Sequence, residues 1–414
     1  MLYNMLKKIY VCLNTKIIGN PENKKMPIKK QKKYLNTFHN PKDEYERSYY
    51  KYKCFCKSIY YKRNWLLFVY NLGALCIYPF VYVYLVKKGR GKRRVNYFVD
   101  AVVENVPRLP NYDVIPSAIK ERYKKIHEIT DVNYQDAYLS SVSLKICKEL
   151  RKRYFWNYYF RLITTFKLAQ FNQYIQDYNP KAIVFYSCER EFSGPLQTLL
   201  CSEEGVNYES FMHGDYLYDI AFAFQKYSLY YTWDRLYNNM FDSLRCASQM
   251  IIYKPEKLKG TAKLNKEGDC SYFATYYFSD ETRESVEIIY NIFRKFTELG
   301  LRCKVRPHPR FSNLDFIQKI FKDIEVENYL EYNLDDSISD TLYIIGLNTT
   351  VLSQAYFSGK KVVIDNISMK NNFRDLKEKS YIMINRPHIL LSNLINSIEM
   401  EDYTKKNYKC VIKF

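Results

Sequence analysis

Hydrophobic and polar positions alternate most legibly near the end of the chain, from Asp340 to Asp365. Leu342–Ile345 is a short apolar run of the kind that fills a parallel strand buried on both faces. Gly346, Leu347 and Asn348 interrupt it. Thr349 or Thr350 then supplies an N-cap for a helix whose apolar face is Val351, Leu352, Ala355 and Tyr356. Gly359 stands where a left-handed residue ends a helix, and Lys361–Asp365 reads as the next buried strand. The spacing predicts a βαβ unit with a hydroxyl-rich helix start at the carboxyl end of a strand. Free N–H groups and the positive end of the helix dipole suit phosphate there. A crossover that binds nothing has the same pattern.

The same alternation recurs upstream. It predicts a strand at Val95–Val99, a helix near Ser117–Ile126 and one or two long helices from Ser141 to Asp177, before Asn179-Pro180. Strands follow at Ala182–Tyr186, Val206–Met212 and Ser228–Thr232, with helices from Pro195 to Gly205 and from Asp234 to Arg245. Residues 254–269 are polar and aperiodic and read as a linker. Beyond them come a strand (Ser271–Phe278), a helix (Glu281–Leu299) stopped by Gly300, and a strand (Arg302–Val305). Helices near Asn313–Lys322 and at Ile389–Met400 complete the pattern. The expectation is an α/β chain with two Rossmann-like domains facing a central cleft, at 95–255 and 256–414.

The first 94 residues do not share this pattern. They carry 22 Lys and Arg against 4 Asp and Glu, a net +18 of the chain's +20. Residues 1–64 read as an irregular basic arm. Trp65–Val86 is 22 residues without a charge, flanked by Lys62 and Arg63 before it and by Lys87, Lys88, Arg90, Lys92, Arg93 and Arg94 after it. That length can span a bilayer. Asn71, Gly73 and Pro79 interrupt it, and positive charge on both sides gives no orientation. The reading is association with an anionic membrane surface, peripheral or monotopic; the alternative is a buried helix and strand of the first domain. Placement of the charge on the arm, with a near-neutral body, disfavours a nucleic-acid partner.

The 11 cysteines are scattered, and the Cys54-Phe-Cys56 pair alone is a weak metal signal. No visible secretory leader precedes the arm, which fits reduced thiols. A glycine-rich phosphate loop, a GxSxG elbow, an HExxH motif and paired CxxC motifs are all missing from the sequence. No Asp-x-Asp follows a strand either. The expectation is catalysis without a metal and without a cofactor.

Two of five histidines, His213 and His308, directly follow predicted strands, one in each domain. Prolines fix the backbone on both sides of His308, and Arg306 and Arg310 frame it with positive charge. With Asn348, Thr349 and Thr350 they compose a candidate phosphate clamp. His213 is a candidate general base on an acceptor hydroxyl, and Glu189, Glu191 and Asp215 at the same mouth are its rivals.

The order His213-Gly214, linker, His308-Pro309, Thr349-Thr350 resembles bacterial GT-B glycosyltransferases that build surface polysaccharide. The likeness spans residues 180–366 and includes capsule and lipooligosaccharide sialyltransferases and related polyol-phosphate transferases. The resemblance implies that His308, Thr349 and Thr350 contact the nucleotide phosphate. In the polyol-phosphate branch it makes His213 catalytic. The sialyltransferase branch uses an acidic pair before glycine, which Glu203-Glu204-Gly205 matches in letters but at a predicted helix end. The implied protein is a metal-independent glycosyltransferase on the cytoplasmic face of the bacterial inner membrane. It would move a sugar from a nucleotide-sugar donor to a lipid-linked or growing glycan. The alternatives are a polyol-phosphate transferase of the same fold and a non-catalytic assembly protein.

Overall fold

The computed structural model describes residues 26–404, apart from 97, 105–116, 130–135, 187–189, 213, 254–269, 280 and 310–311; from 399 to 404 it describes only the backbone. The expected linker at 254–269 thus lies outside the described residues. The chain forms two compact units. One comprises Met1–His213 and Asp219–Tyr253; the other comprises Gly214–Tyr218 and Lys254–Phe414.

The first unit runs α1 (Ile28–Leu35), α2 (Glu44–Ile59), α3 (Asn64–Gly89), β1 (Ala101–Glu104), α4 (Ser117–Arg122), β2 (Ile126–Ile129), α5 (Ser141–Arg153), α6 (Tyr158–Tyr178) and β3 (Ala182–Tyr186). It continues with α7 (Gly194–Glu203), β4 (Asn207–Phe211), β5 (Leu229–Thr232), α8 (Arg235–Ser243) and β6 (Gln249–Ile252). Its six strands are parallel, in the order β2-β1-β3-β4-β5-β6. Local chemistry sets the boundaries. Ser140 and Ser143 cap α5 reciprocally, Asp234 caps α8, and Asn179 ends α6 in the left-handed region. Glu203-Glu204-Gly205 is a helix end, with Gly205 at φ +70° and Glu204 paired to Arg94.

The second unit runs β7 (Tyr272–Tyr277), α9 (Arg283–Glu298), β8 (Cys303–Arg306), α10 (Leu314–Ile320), β9 (Glu325–Val326), α11 (Leu334–Ser339), β10 (Thr341–Gly346) and α12 (Thr350–Phe357). β11 (Lys361–Ile364), α13 (Lys370–Glu378), β12 (Ile389–Leu390) and α14 (Leu391–Thr404) complete it. Its strands are also parallel, in the order β12-β11-β10-β7-β8-β9. The continuous apolar runs are explained by burial on both faces. Ile345 and Val363 enter the core under α9 and α14, while their neighbours Ile344, Val362 and Ile364 enter the core under α12 and α13. The expectation of an α/β chain with two Rossmann-like units holds.

Three expectations are corrected. The strand foreseen at Val95–Val99 is Ala101–Glu104 instead. Val95 and Val99 lie along the end of α6, where their N–H groups donate to the Gln176 and Tyr178 carbonyls. Sheet pairing begins only where Ala101 meets Ala182 and Ile126. The arm is not irregular where it is described. α2 buries Tyr52, Cys54 and Cys56, and Tyr52 packs on Phe160 and Phe192 with ring centroids 4.9 and 5.1 Å apart. Lys51, read from sequence as part of the irregular basic arm, is fully buried and donates to the Ala221 carbonyl. No boundary between compact units falls at 94–95. Finally, Trp65–Val86 belongs to one unbroken helix, with Pro79 inside it.

Candidate functional site

In an open parallel sheet, ligands gather at the carboxyl ends of strands where the order reverses. In the second unit the chain passes from β7 to β8 to β9, then returns to place β10 on the other side of β7. The reversal therefore lies between β7 and β10. The turn after β10 holds Asn348 and Thr350 exposed and Thr349 half-buried. The Thr349 hydroxyl accepts from the Val351 N–H at 3.4 Å and caps α12, and the first turn of α12 carries no acidic residue. Gly346 makes the turn fit. A Cβ there would lie 3.1 Å from Thr349 Cγ2 and 3.2 Å from the Tyr277 carbonyl oxygen. The helix start offers N–H groups and hydroxyls with no competing carboxylate, which is the chemistry of an anion site.

β8, on the far side of β7, ends in the turn Pro307-His308-Pro309. The His308 N–H donates to Ser312 Oγ at 2.8 Å, and its carbonyl accepts from the Ser312 N–H at 3.2 Å. These bonds hold the turn and leave the imidazole half-buried. Arg310 lies outside the described residues.

Arg306 departs from its expected role. It is 8% exposed and pairs with Glu327, itself 1% exposed, and its second nitrogen donates to the Tyr332 carbonyl at 3.0 Å. Lys304, on the same face of β8, pairs with the other Glu327 oxygen at 2.8 Å, where Ser337 also donates. The guanidinium is spent within the fold and is not an exposed clamp. Two buried cations nevertheless share one carboxylate, which leaves positive charge near the carboxyl end of β8.

The first unit reverses order between β1 and β3. Glu104 ends β1, and Glu191 lies in the loop after β3. α6 reaches both: Gln170 Nε2 donates to Glu104 Oε2 at 2.8 Å, Tyr174 Oη donates to the same oxygen at 3.2 Å, and Lys167 Nζ pairs with Glu191 at 2.7 Å. Burial pushes the Glu104 carboxyl up to about 7; the nearby Glu191 charge adds to this, and Lys167 and the two hydrogen bonds oppose it. Glu191 Oε2 and Gln170 Oε1 are buried without a hydrogen-bond partner. Sequence reasoning missed Glu104 because it ended the strand at Val99. The signal was present as an acidic residue closing the apolar run Ala101-Val102-Val103.

His213 and Glu189 lie outside the described residues. Asp215 falls in a different compact unit from Glu191. Its segment, Gly214–Tyr218, belongs to the second unit, where Ser353 Oγ donates to the Asp215 carboxylate at 2.9 Å. Arg386 Nη1 donates to Ser353 Oγ at 3.1 Å, so Asp215 has a buried counter-charge one hydroxyl away. Asp215 thus heads a hydrogen-bonded chain with Ser353 and Arg386. Among the described residues no group of three or more His, Cys, Asp and Glu side chains is arranged to hold a metal ion.

No family profile matches the chain, and no curated protein sequence matches it. Solved structures do resemble it. Wall teichoic acid polymerase TagF soaked with CDPG aligns at TM-score 0.43 and 11% identity, over 83% of this chain and 90% of that one. UDP-GlcNAc 2-epimerase from Methanocaldococcus jannaschii, in complex with UDP-GlcNAc and UDP, aligns at TM-score 0.41 and 13% identity, over 76% and 95%. S. aureus MnaA with UDP aligns at TM-score 0.38 and 13% identity, over 64% and 79%.

Proposed function

We propose that the chain is a transferase that draws on a nucleotide-activated donor, with a sugar as the transferred group and a surface glycan as acceptor. One observation carries the reading. The uncapped-by-acid start of α12 and the proline-fixed His308 turn stand at the carboxyl ends of β10 and β8, on either side of β7, beside a reversal of strand order. Thr349, Thr350, Asn348 and His308 bind the nucleotide phosphate, with the charge of Lys304 and Arg306 behind them. They stabilise the phosphate as it leaves, so no metal is required for that step.

On the acceptor side the first unit offers a base. His213 holds that role through its position after β4, and Glu191 with Glu104 is the carboxylate alternative at the β1/β3 reversal. The base removes the hydroxyl proton of the acceptor while its oxygen displaces the nucleotide.

A thermal-shift screen with CMP-, UDP-, GDP- and CDP-linked donors tests the reading. A ligand at 100 times its dissociation constant adds about 2.7 kcal/mol. One nucleotide class should stabilise the protein, and His308→Ala should shrink the shift by about half or more at the same ligand concentration. If none of the four stabilises it, the donor reading falls. Product analysis with the stabilising donor separates sugar transfer from polyol-phosphate transfer.

A further inference from the structure

α3 is 26 residues long, about 39 Å at 1.5 Å per residue. Only 22% of its most apolar window is buried. The buried positions, Leu66, Ala74, Tyr78, Val81 and Leu85, form one stripe, and that stripe packs on α6. The opposite stripe carries Trp65, Phe68, Leu72, Leu75, Phe80 and Val83, all exposed, with Phe80 at 74%. A core helix does not leave such a row in water.

The helix is also fastened along its length. The Asn71 amide, which interrupts the apolar run, donates to the Trp156 carbonyl at 3.0 Å and accepts from the Tyr159 N–H at 3.1 Å. These bonds dock the loop that carries Phe155 and Trp156, the latter 75% exposed, beside the apolar stripe. At the other end the Leu139 N–H donates to the Leu85 carbonyl. A Cβ on Gly89 would fall 2.1 Å from the Leu139 carbonyl oxygen, so the backbones touch there. A helix fastened at Asn71 and at Leu85–Gly89, with its buried stripe on α6, cannot turn through a bilayer without losing that contact.

Charge identifies what covers the stripe. Between Glu46 and Asp100 the sequence contains no Asp or Glu. Lys62 stands exposed at one end of α3, and Lys87, Arg90, Lys92 and Arg93 at the other. An apolar band about 10 Å wide with cations at both ends matches acyl chains bordered by anionic headgroups. We infer that α3, with Phe155 and Trp156, lies in the plane of an anionic phospholipid leaflet and seats the protein on it without spanning. The inference does not depend on the donor reading.

The test uses the full chain and vesicles of phosphatidylcholine with and without phosphatidylglycerol. The protein should float with the anionic vesicles and much less with the neutral ones. Phe68→Glu with Phe80→Glu, both at exposed positions, should leave the thermal melt unchanged and cut flotation at least roughly tenfold, since each removes a large apolar surface from the bilayer. Two of the three tryptophans, Trp65 and Trp156, are on this face, so their fluorescence reports depth. It should be quenched by bromine near the headgroup and not by bromine at the bilayer centre. Flotation unaffected by the double substitution, absence of flotation altogether, or quenching from the bilayer centre would each overturn the inference. So would a concentration-dependent dimer that Phe80→Glu breaks in protein that does not bind vesicles.

Discussion

Ser353 and Asp215 stand 138 residues apart in sequence, and the serine hydroxyl donates to the aspartate carboxylate at 2.9 Å. Arg386 donates to the same hydroxyl, and its guanidinium stacks on Tyr356 and Phe357 at 5.0 and 4.7 Å. The contact fastens the short segment Gly214–Tyr218 to α12.

Asp215→Ala is therefore predicted to cost stability. It leaves the buried Ser353 hydroxyl without the carboxylate that accepts its proton and removes a counter-charge near Arg386, which costs about 1–3 kcal/mol. Urea unfolding should show the loss, while turnover per folded molecule remains measurable. A variant as stable as wild type but without turnover would return Asp215 to the catalytic machinery.

His308 and Arg306 should separate cleanly. His308→Ala should keep the melting temperature and weaken donor binding by about 1.5–3 kcal/mol, the usual worth of a charge-assisted contact. Arg306→Ala should instead lower stability by about 3 kcal/mol, the lower end for a broken buried pair, because Glu327 keeps Lys304. Calorimetric donor titration alongside thermal melts checks both. An Arg306 variant that melts like wild type but binds no donor would restore the exposed-clamp role.

The two threonines at the start of α12 should differ in the same way. Thr349 caps the helix, so Thr349→Ala should lose about 1 kcal/mol of stability. Thr350 is exposed, so Thr350→Val should leave the melt unchanged and lower donor affinity. Equal effects of both substitutions on both measurements would count against this division.

Glu104 predicts a pH dependence. Its carboxyl titrates at about 7 in the folded protein against 4.5 for the free side chain. The folded state then binds more protons than the unfolded state between these values. The stability contributed by this group is complete below about pH 4.5 and is lost as pH rises through about 7. The total is on the order of 3 kcal/mol. Urea midpoints measured from pH 5 to pH 8 should fall for wild type and fall less for Glu104→Gln. Parallel slopes would show that Glu104 is already ionised at pH 5.

What the sequence determined by itself is local. The βαβ unit at Asp340–Asp365, the Thr349 cap and the left-handed glycines at 205, 300 and 359 were legible because a cap or a positive φ is decided by neighbouring residues. The alternation of apolar runs and helical stripes likewise determined the α/β class with two parallel sheets, since burial on both faces favours continuous apolar runs such as Ile344-Ile345 and Val362-Val363-Ile364. Tertiary structure decided where charges are spent. Arg306 looked like a clamp until Glu327, 21 residues on, neutralised it, and only the tertiary structure brings Ser353 to Asp215, one of the candidate bases. Lys51 was part of an arm read as irregular, and its burial depends on α2 packing against the turn Ile220–Phe222. Whether α3 was core or surface could not be read from its composition, because both readings need the same apolar residues. Only its contact with α6 showed which stripe the protein covers and which it leaves exposed.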